Sequence, residues 1–212
     1  MKIAVLGATG WVGGNIVEEA RARGMEVVAL SRNLPEQSSQ GIEARAFDVT
    51  DSGADLAAAV RGCDALVVAV GGRAEGNHDM VPEAARRLLE QLPATDTRRL
   101  VWVGGAGSLE VAPGVQLVSS PDFPDEFRAE ALAQGQALEV FRGYTGNVKW
   151  TFVSPAADLF PGEKQGHYRV GGDQLLVDGE GLSRISVADY ALALVDELEN
   201  GKYPGQRIGV AY

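Results

Sequence analysis

The stretch Lys2-Ile-Ala-Val-Leu-Gly-Ala-Thr-Gly-Trp-Val-Gly-Gly14 constrains this chain more than any other. A short apolar run enters a glycine turn, and the turn opens into a helical pattern. Gly7, Gly10 and Gly13 are spaced G-x-x-G-x-x-G. Gly7 allows a turn that a side chain would obstruct. Gly10 lets backbone approach a ligand closely, and Gly13 lets the helix pack against its own strand. The helix then starts with free N–H groups and the positive end of its dipole aimed at the turn. Such a terminus suits an anion, a pyrophosphate in particular. The strand before and the helix after give the spacing its meaning. Without a ligand, the same residues are a glycine-rich turn.

The rest of the chain repeats the strand–helix alternation. Val12, Ile16, Val17 and Ala20 recur at helical spacing, and Gly24 is a natural stop. Met25–Leu30 reads as a second strand, followed by a polar loop rich in Gln and Ser. Ala44–Phe47 reads as a third, and Leu56, Ala59 and Val60 mark a short helix ending at Gly62. Ala65–Val70 is apolar on both faces, as a central parallel strand should be. Pro82 opens a helix carrying Leu88, Leu89 and Leu92. Leu100–Val103 is a fifth strand, and a long helix runs through Phe127 to about Arg142. Lys149–Val153 is a sixth strand. A glycine-rich stretch, 156–182, follows, with a hairpin expected around Tyr168–Val177. Ser186-Val-Ala-Asp189 resembles a capping box, starting a helix with Leu194 and Leu198 that ends near Gly201. Arg207–Ala211 is a last strand. The pattern predicts an α/β domain, a doubly wound parallel sheet with helices on both faces. The expected organisation is one domain over 1–212, with a core to residue 155 and a small C-terminal lid lobe over 156–212.

Length and composition narrow the partners. The chain of 212 residues suits one such domain, and its 45% apolar content can bury a sizeable core. Its net charge of −10 disfavours nucleic acid as a direct partner. The single cysteine, Cys63, excludes an internal disulfide and reads as a small buried hydrophobe. There is no charged leader followed by a long apolar run, and no apolar run near the ~20 residues of a membrane span. A cytoplasmic protein acting on a small molecule, as monomer or homodimer, is the expectation. Two histidines and one cysteine make no metal-ligand cluster.

In such sheets ligands lie beyond the carboxyl ends of the strands. After the second strand stand Ser31, Arg32 and Asn33, where an NAD-selective protein places a carboxylate for the ribose 2′-OH. Arg32 suits a 2′-phosphate, because its fork pairs with phosphate oxygens. NADP(H) is therefore favoured over NAD(H), unless Arg32 is only a solvated loop cation. Asp48 can accept from an adenine amino group, or cap the helix after it, or both. Val49 can cover the adenine face. Gly71-Gly72 and Gly104-Gly105 leave room for ribose and nicotinamide, or are ordinary turn glycines.

These residues resemble the atypical short-chain dehydrogenase/reductase superfamily over nearly the whole chain. The resemblance rests on Gly7-Ala-Thr-Gly-Trp-Val-Gly13, Ser31-Arg-Asn33, Phe47-Asp-Val49, Val103-Gly-Gly-Ala-Gly-Ser108, Trp150-Thr-Phe-Val-Ser-Pro155 and Arg184-Ile-Ser-Val-Ala-Asp-Tyr190. Within that superfamily the chain is most similar to the bacterial NADH-flavin reductase group, itself related to biliverdin IXβ reductase and to NmrA-like proteins. The resemblance implies an NAD(P)-binding Rossmann fold, with phosphate contacts from Thr9, Trp11 and Val12 and 2′-phosphate recognition by Arg32. It implies adenine contact by Asp48 and Val49, and nicotinamide neighbours at Val70, Gly71, Gly72, Gly104, Gly105 and Pro155.

The superfamily's usual catalytic pair is Tyr-x-x-x-Lys. Tyr144, Tyr168, Tyr190 and Tyr203 are followed four places on by Val148, Gly172, Leu194 and Arg207. Lys149 lies five places after Tyr144, the wrong spacing for one helical face. A flavin acceptor fits that absence, since solvent can supply the proton and the protein need only align two rings. Flavin would then be a co-substrate. Ser108 and His78 are the candidate catalytic side chains, the first as a substrate hydrogen-bonder and the second as a proton donor. A non-catalytic NADP(H) sensor of NmrA-like type is the alternative. The expected lid favours the enzyme, because it would shield hydride transfer from water. An epimerase or dehydratase is a third reading, which the missing Tyr–Lys pair disfavours.

Overall fold

The computed structural model describes residues 1–32 and 42–212. Asn33 and most of the Gln/Ser-rich loop fall outside the described residues. The strands are β1 (Lys2–Leu6), β2 (Glu26–Ser31), β3 (Glu43–Ala46), β4 (Ala65–Val68), β5 (Arg99–Val103), β6 (Glu110–Ala112) and β7 (Val115–Gln116), then β8 (Lys149–Ser154), β9 (Asp158–Phe160), β10 (Arg169–Gly171), β11 (Arg184–Ser186) and β12 (Gln206–Ala211). The helices are α1 (Trp11–Ala22), α2 (Leu56–Ala59), α3 (Met80–Gln91), α4 (Asp125–Arg142) and α5 (Val187–Asn200).

The main sheet has the order β10-β12-β8-β5-β4-β1-β2-β3. Its pairs are parallel except β10 with β12. The chain builds outward from β1 through β2 to β3, then crosses back so that β4 lies on the other side of β1. That reversal opens a crevice at the carboxyl ends of β1 and β4, where open α/β sheets bind ligands.

Alternation along β1 assigns the two faces. Ala4 and Leu6 pack into a core with Leu88, Leu89 and Leu92 of the α3 segment and Leu138 and Phe141 of α4. Ile3 and Val5 pack into the opposite core with Ile16 and Val17 of α1 and Tyr190 and Leu194 of α5. Trp102, Phe141 and Phe152 interlock in the first core, with ring centroids 5.3 and 5.8 Å apart. Cys63 is buried there too, and burial pushes its thiol pKa up.

The second half of the chain departs from expectation in three places. The boundary expected near residue 155 does not divide the sheet. Strand β12 pairs in parallel with β8, and α5 packs beside α1. The hairpin expected over Tyr168–Val177 is absent. Strand β10 instead pairs antiparallel with β12, Arg169 opposite Ala211. Strand-like patterning marks an exposed half-strand without naming its partner. A short β6–β7 hairpin, punctuated by Gly114 at φ 74°, lies between β5 and α4, where the sequence reading assigns no strand.

The capping box is half as expected. Ser186 Oγ accepts from the Asp189 backbone N–H at 3.1 Å, but the Ser186 N–H goes to the Tyr212 hydroxyl, also at 3.1 Å. The Asp189 carboxylate instead accepts from the backbone of Gln165 and Gly166 at 2.9 and 2.8 Å, and from Tyr212 Oη at 2.6 Å. Burial pushes that carboxyl up. The Tyr212, Gln165, Gly166 and Ser186 donors outweigh it and hold the pKa below the usual carboxylate range. Lys164 bonds Glu19 of α1 at 2.7 Å. The segment expected as a lid is thus tied down over α1 and α5.

Candidate functional site

A cavity of about 470 Å³ lies at the carboxyl ends of β1 to β4. Its wall includes Gly7, Thr9 and Gly10 after β1, Ser31 and Arg32 at the end of β2, Asp48 and Val49 after β3, and Val70 and Gly71 after β4. The strand ends thus bring together eight of the expected cofactor residues. Leu6, Leu30, Phe47, Thr50, Ala69, Ala74 and Met80 complete the wall. Leu6, Leu30, Phe47 and Ala69 lie at or just past strand ends, a position that alternation could have flagged; Thr50, Ala74 and Met80 come from the segments beyond.

The three glycines of the first turn have separate causes. Gly7 has φ +86°, and a Cβ there would stand 2.2 Å from the Ala69 carbonyl. A Cβ on Gly13 would meet the Gly7 carbonyl at 2.0 Å, so this glycine lets α1 sit against the turn. Gly10 has ordinary backbone, φ −75°, and its nearest obstacle is the Gly7 oxygen at 3.3 Å. Gly10 is also the N-cap of α1, with no side chain to occupy the first N–H groups of that helix. The bare backbone at Gly10, an uncapped helix terminus and a cavity alongside fit the diphosphate of a dinucleotide.

At the far side of the cavity, Asp48 Oδ1 accepts from the Thr50 N–H at 2.9 Å and the Thr50 hydroxyl at 2.7 Å. The Thr50 hydroxyl is the main cause that holds the Asp48 pKa low. The charges of Arg32 and Arg87 add to it, against the opposing effect of burial. Asp48 does not cap the next helix: Asp55 does, accepting from the Ala58 N–H at 3.0 Å. Arg87 of α3 donates to the Val49 carbonyl at 2.9 Å and pins this loop.

Elsewhere the structure separates what the sequence grouped. A Cβ on Gly104 would enter the Phe152 ring at 2.0 Å, and one on Gly72 would meet the Asn77 carbonyl at 2.2 Å. At both positions protein fills the space beside the glycine. Val12, Gly13, Gly72, Gly104, Gly105 and Pro155 do not line this cavity, and Trp11 stands half exposed beyond it. Ser108 is buried at 7% exposure, with its Cβ 3.8 Å from a Cβ built on Gly135, and is no part of the wall. None of residues 156–182 lines the cavity, so the expected lid does not shield it.

His78 has a partner that sequence reasoning missed. Its Nδ1 lies 2.9 Å from Glu130 Oε2, and the same oxygen accepts from the Gly72 N–H at 3.0 Å. Gln134 donates to Glu130 Oε1 at 3.2 Å and to the Val70 carbonyl at 3.3 Å, while its own oxygen accepts from the Trp102 indole at 3.0 Å. Glu130 and Gln134 are four apart on the face of α4 turned to the ends of β4 and β5. Only their i, i+4 spacing links them in the sequence, among alanines and a leucine.

Comparison with known proteins agrees with this geometry. A family model described as NAD(P)H-binding matches residues 7–198. The Bacillus subtilis protein YwnB is 39% identical over 213 residues, covering 99% of this chain and 98% of that protein. A Streptococcus pneumoniae structure described as "a putative NADH-flavin reductase" is 38% identical, with a TM-score of 0.88 over 100% of this chain and 99% of the other. A Burkholderia pseudomallei structure described as a "putative exported protein" is 43% identical, with a TM-score of 0.90 over the full length of both. The glycine turn, the parallel sheet and these likenesses converge: the chain belongs to the NAD(P)H-binding family of Rossmann-fold proteins, within the atypical short-chain dehydrogenase/reductase superfamily.

Proposed function

We propose that this protein is a single-domain, NADPH-preferring reductase that passes hydride to a flavin or another flat conjugated acceptor. Membership of an NAD(P)H-binding family and likeness to a structure described as an NADH-flavin reductase support oxidoreductase chemistry. The observation that carries the NADPH preference is the end of β2. There Ser31 and Arg32 line the cavity opposite Asp48, and neither is a carboxylate. A guanidinium at that strand end pairs with a 2′-phosphate, whereas a carboxylate would repel it. Gly7, Gly10 and the start of α1 would hold the diphosphate, with Thr9 beside it and Asp48 and Val49 at the adenine. The bound cofactor supplies a hydride; the protein supplies alignment and an orienting surface. Ser108, buried against α4, has no part in this reading, and flavin would come and go as a co-substrate. Among the described residues no helix is long and apolar enough to cross a membrane, and a small-molecule acceptor in the cytoplasm suits the site.

The test is a titration of NADPH and NADH, followed by NADPH oxidation with FMN, riboflavin and a quinone. Tighter NADPH binding with turnover of at least one acceptor supports the reading. Tight binding with no turnover across the panel favours the sensor instead.

A further inference from the structure

We infer that Glu130 is a positioning residue that fixes His78 as a proton donor, and that the acceptor is therefore a flat conjugated carbonyl compound that takes up a proton with the hydride. This rests on the reductase reading above and narrows its acceptor.

The argument begins with placement. His78 does not itself line the cavity, but it sits in the segment between Ala74 and Met80, which do. Glu130 reaches across to that segment from α4. Its Oε1 lies 2.8 Å from where a Cβ on Gly71, another wall residue, would stand. The pair therefore flanks the β4 end of the cavity, the opposite end from Arg32 and Asp48.

Next comes proton placement. The carboxylate accepts from the Gly72 N–H and from Gln134, so its position is set from both sides. It accepts only, so it holds the proton of His78 on Nδ1. The ring nitrogen that Glu130 does not engage is then Nε2, and this is the nitrogen that can exchange a proton with a substrate.

The chemistry balances as follows. The C4–H bond of the reduced nicotinamide breaks with its electron pair, and the hydride bonds to the acceptor. The displaced pair collects on the acceptor's carbonyl oxygen. That oxygen takes the proton from Nε2 of protonated His78, which is recharged from solvent. Flavin reduction can stop at the anion and needs this proton less. A contact that merely tied the loop to α4 would make no such distinction.

The experiment has two readouts on the full chain. The first is nitrogen-15 NMR of the histidine side chains without cofactor. The chain has two histidines, so His78→Asn assigns the signals. Wild type should show neutral His78 with its proton on Nδ1, and Glu130→Gln should shift that tautomer. A proton on Nε2 in neutral wild type overturns the proposal. The second is NADPH oxidation with 1,4-naphthoquinone and with FMN. Glu130→Gln should lower kcat with the quinone about tenfold or more, leave the KM for NADPH in place, and cost less with FMN. Glu130→Asp should recover much of the loss. Equal losses with both acceptors, or none, overturn the proposal alone. No oxidation of NADPH with any acceptor overturns the reductase reading and this proposal with it.

Discussion

The two helical layers of this molecule use buried charge differently. On the α1–α5 side, charged groups hold the fold together. Glu197 is 4% exposed and accepts from Arg99 at 2.6 Å, Thr151 at 2.9 Å and the Tyr203 N–H at 3.0 Å. Asp189 gathers α5, the 165–166 backbone and Tyr212. On the α3–α4 side the core is mostly apolar and aromatic, and its polar chain from Trp102 through Gln134 and Glu130 to His78 leads toward the cleft. The contrast teaches where to look for function. A buried charge answered by backbone and by its own layer is structural. A half-buried carboxylate that meets a histidine near an open cavity, as Glu130 does, is the place to test for function.

Four substitutions would break or sharpen that contrast. The largest effect is expected from Glu197→Ala, which strands Arg99 in the interior. Unfolding in urea should show a loss of about 3–5 kcal/mol, with cofactor affinity unchanged in the protein that remains folded. Asp189→Ala should cost roughly 2–3 kcal/mol by the same measurement, for the donors it leaves unanswered. Asp189 and Glu19 both have folded-state pKa values below the unfolded ones. Their stabilising effect is therefore complete above the unfolded carboxylate pKa and is lost as pH falls through and below about 4. The acid limb of the stability profile should flatten in Asp189→Ala. Gly10→Val belongs to the cleft. Its φ of −75° suits any residue, but a Cβ there meets the Gly7 carbonyl at 3.3 Å, so the valine should lower the melting temperature somewhat. It should weaken NADPH binding about tenfold or more, a difference of ~1.4 kcal/mol by calorimetry. Unchanged affinity would remove the diphosphate from this turn. The smallest change is expected from Arg32→Ala: severalfold weaker NADPH binding and little change for NADH. Equal losses for both cofactors would remove the case for the 2′-phosphate.

Much of the fold was legible because its signals are local. The glycine turn, the apolar strands and the caps at Ser186 and Gly201 each lie within a few residues of what they determine. The cofactor side of the cavity follows from them, since it is built from consecutive strand ends. What escaped is long-range. Glu130 meets His78 across 52 positions and Gly72 across 58, and on α4 alone it reads as one more solvated carboxylate. The cause of the glycines at 72 and 104 was hidden for the same reason. Their neighbours, the Asn77 backbone and the Phe152 ring, are invisible until the chain is folded. The edge strand β10 was placed in the wrong pair because its partner lies forty residues on.

Cys63 carries a practical consequence. It is the one cysteine of the chain, it is buried in the core between β4 and α3, and its thiol resists ionisation. A maleimide dye would therefore leave the wild type largely unmarked. A thiol placed next to the wall residue Gly10, as in Trp11→Cys, becomes a selective attachment point for a fluorophore whose emission reports what enters the cleft.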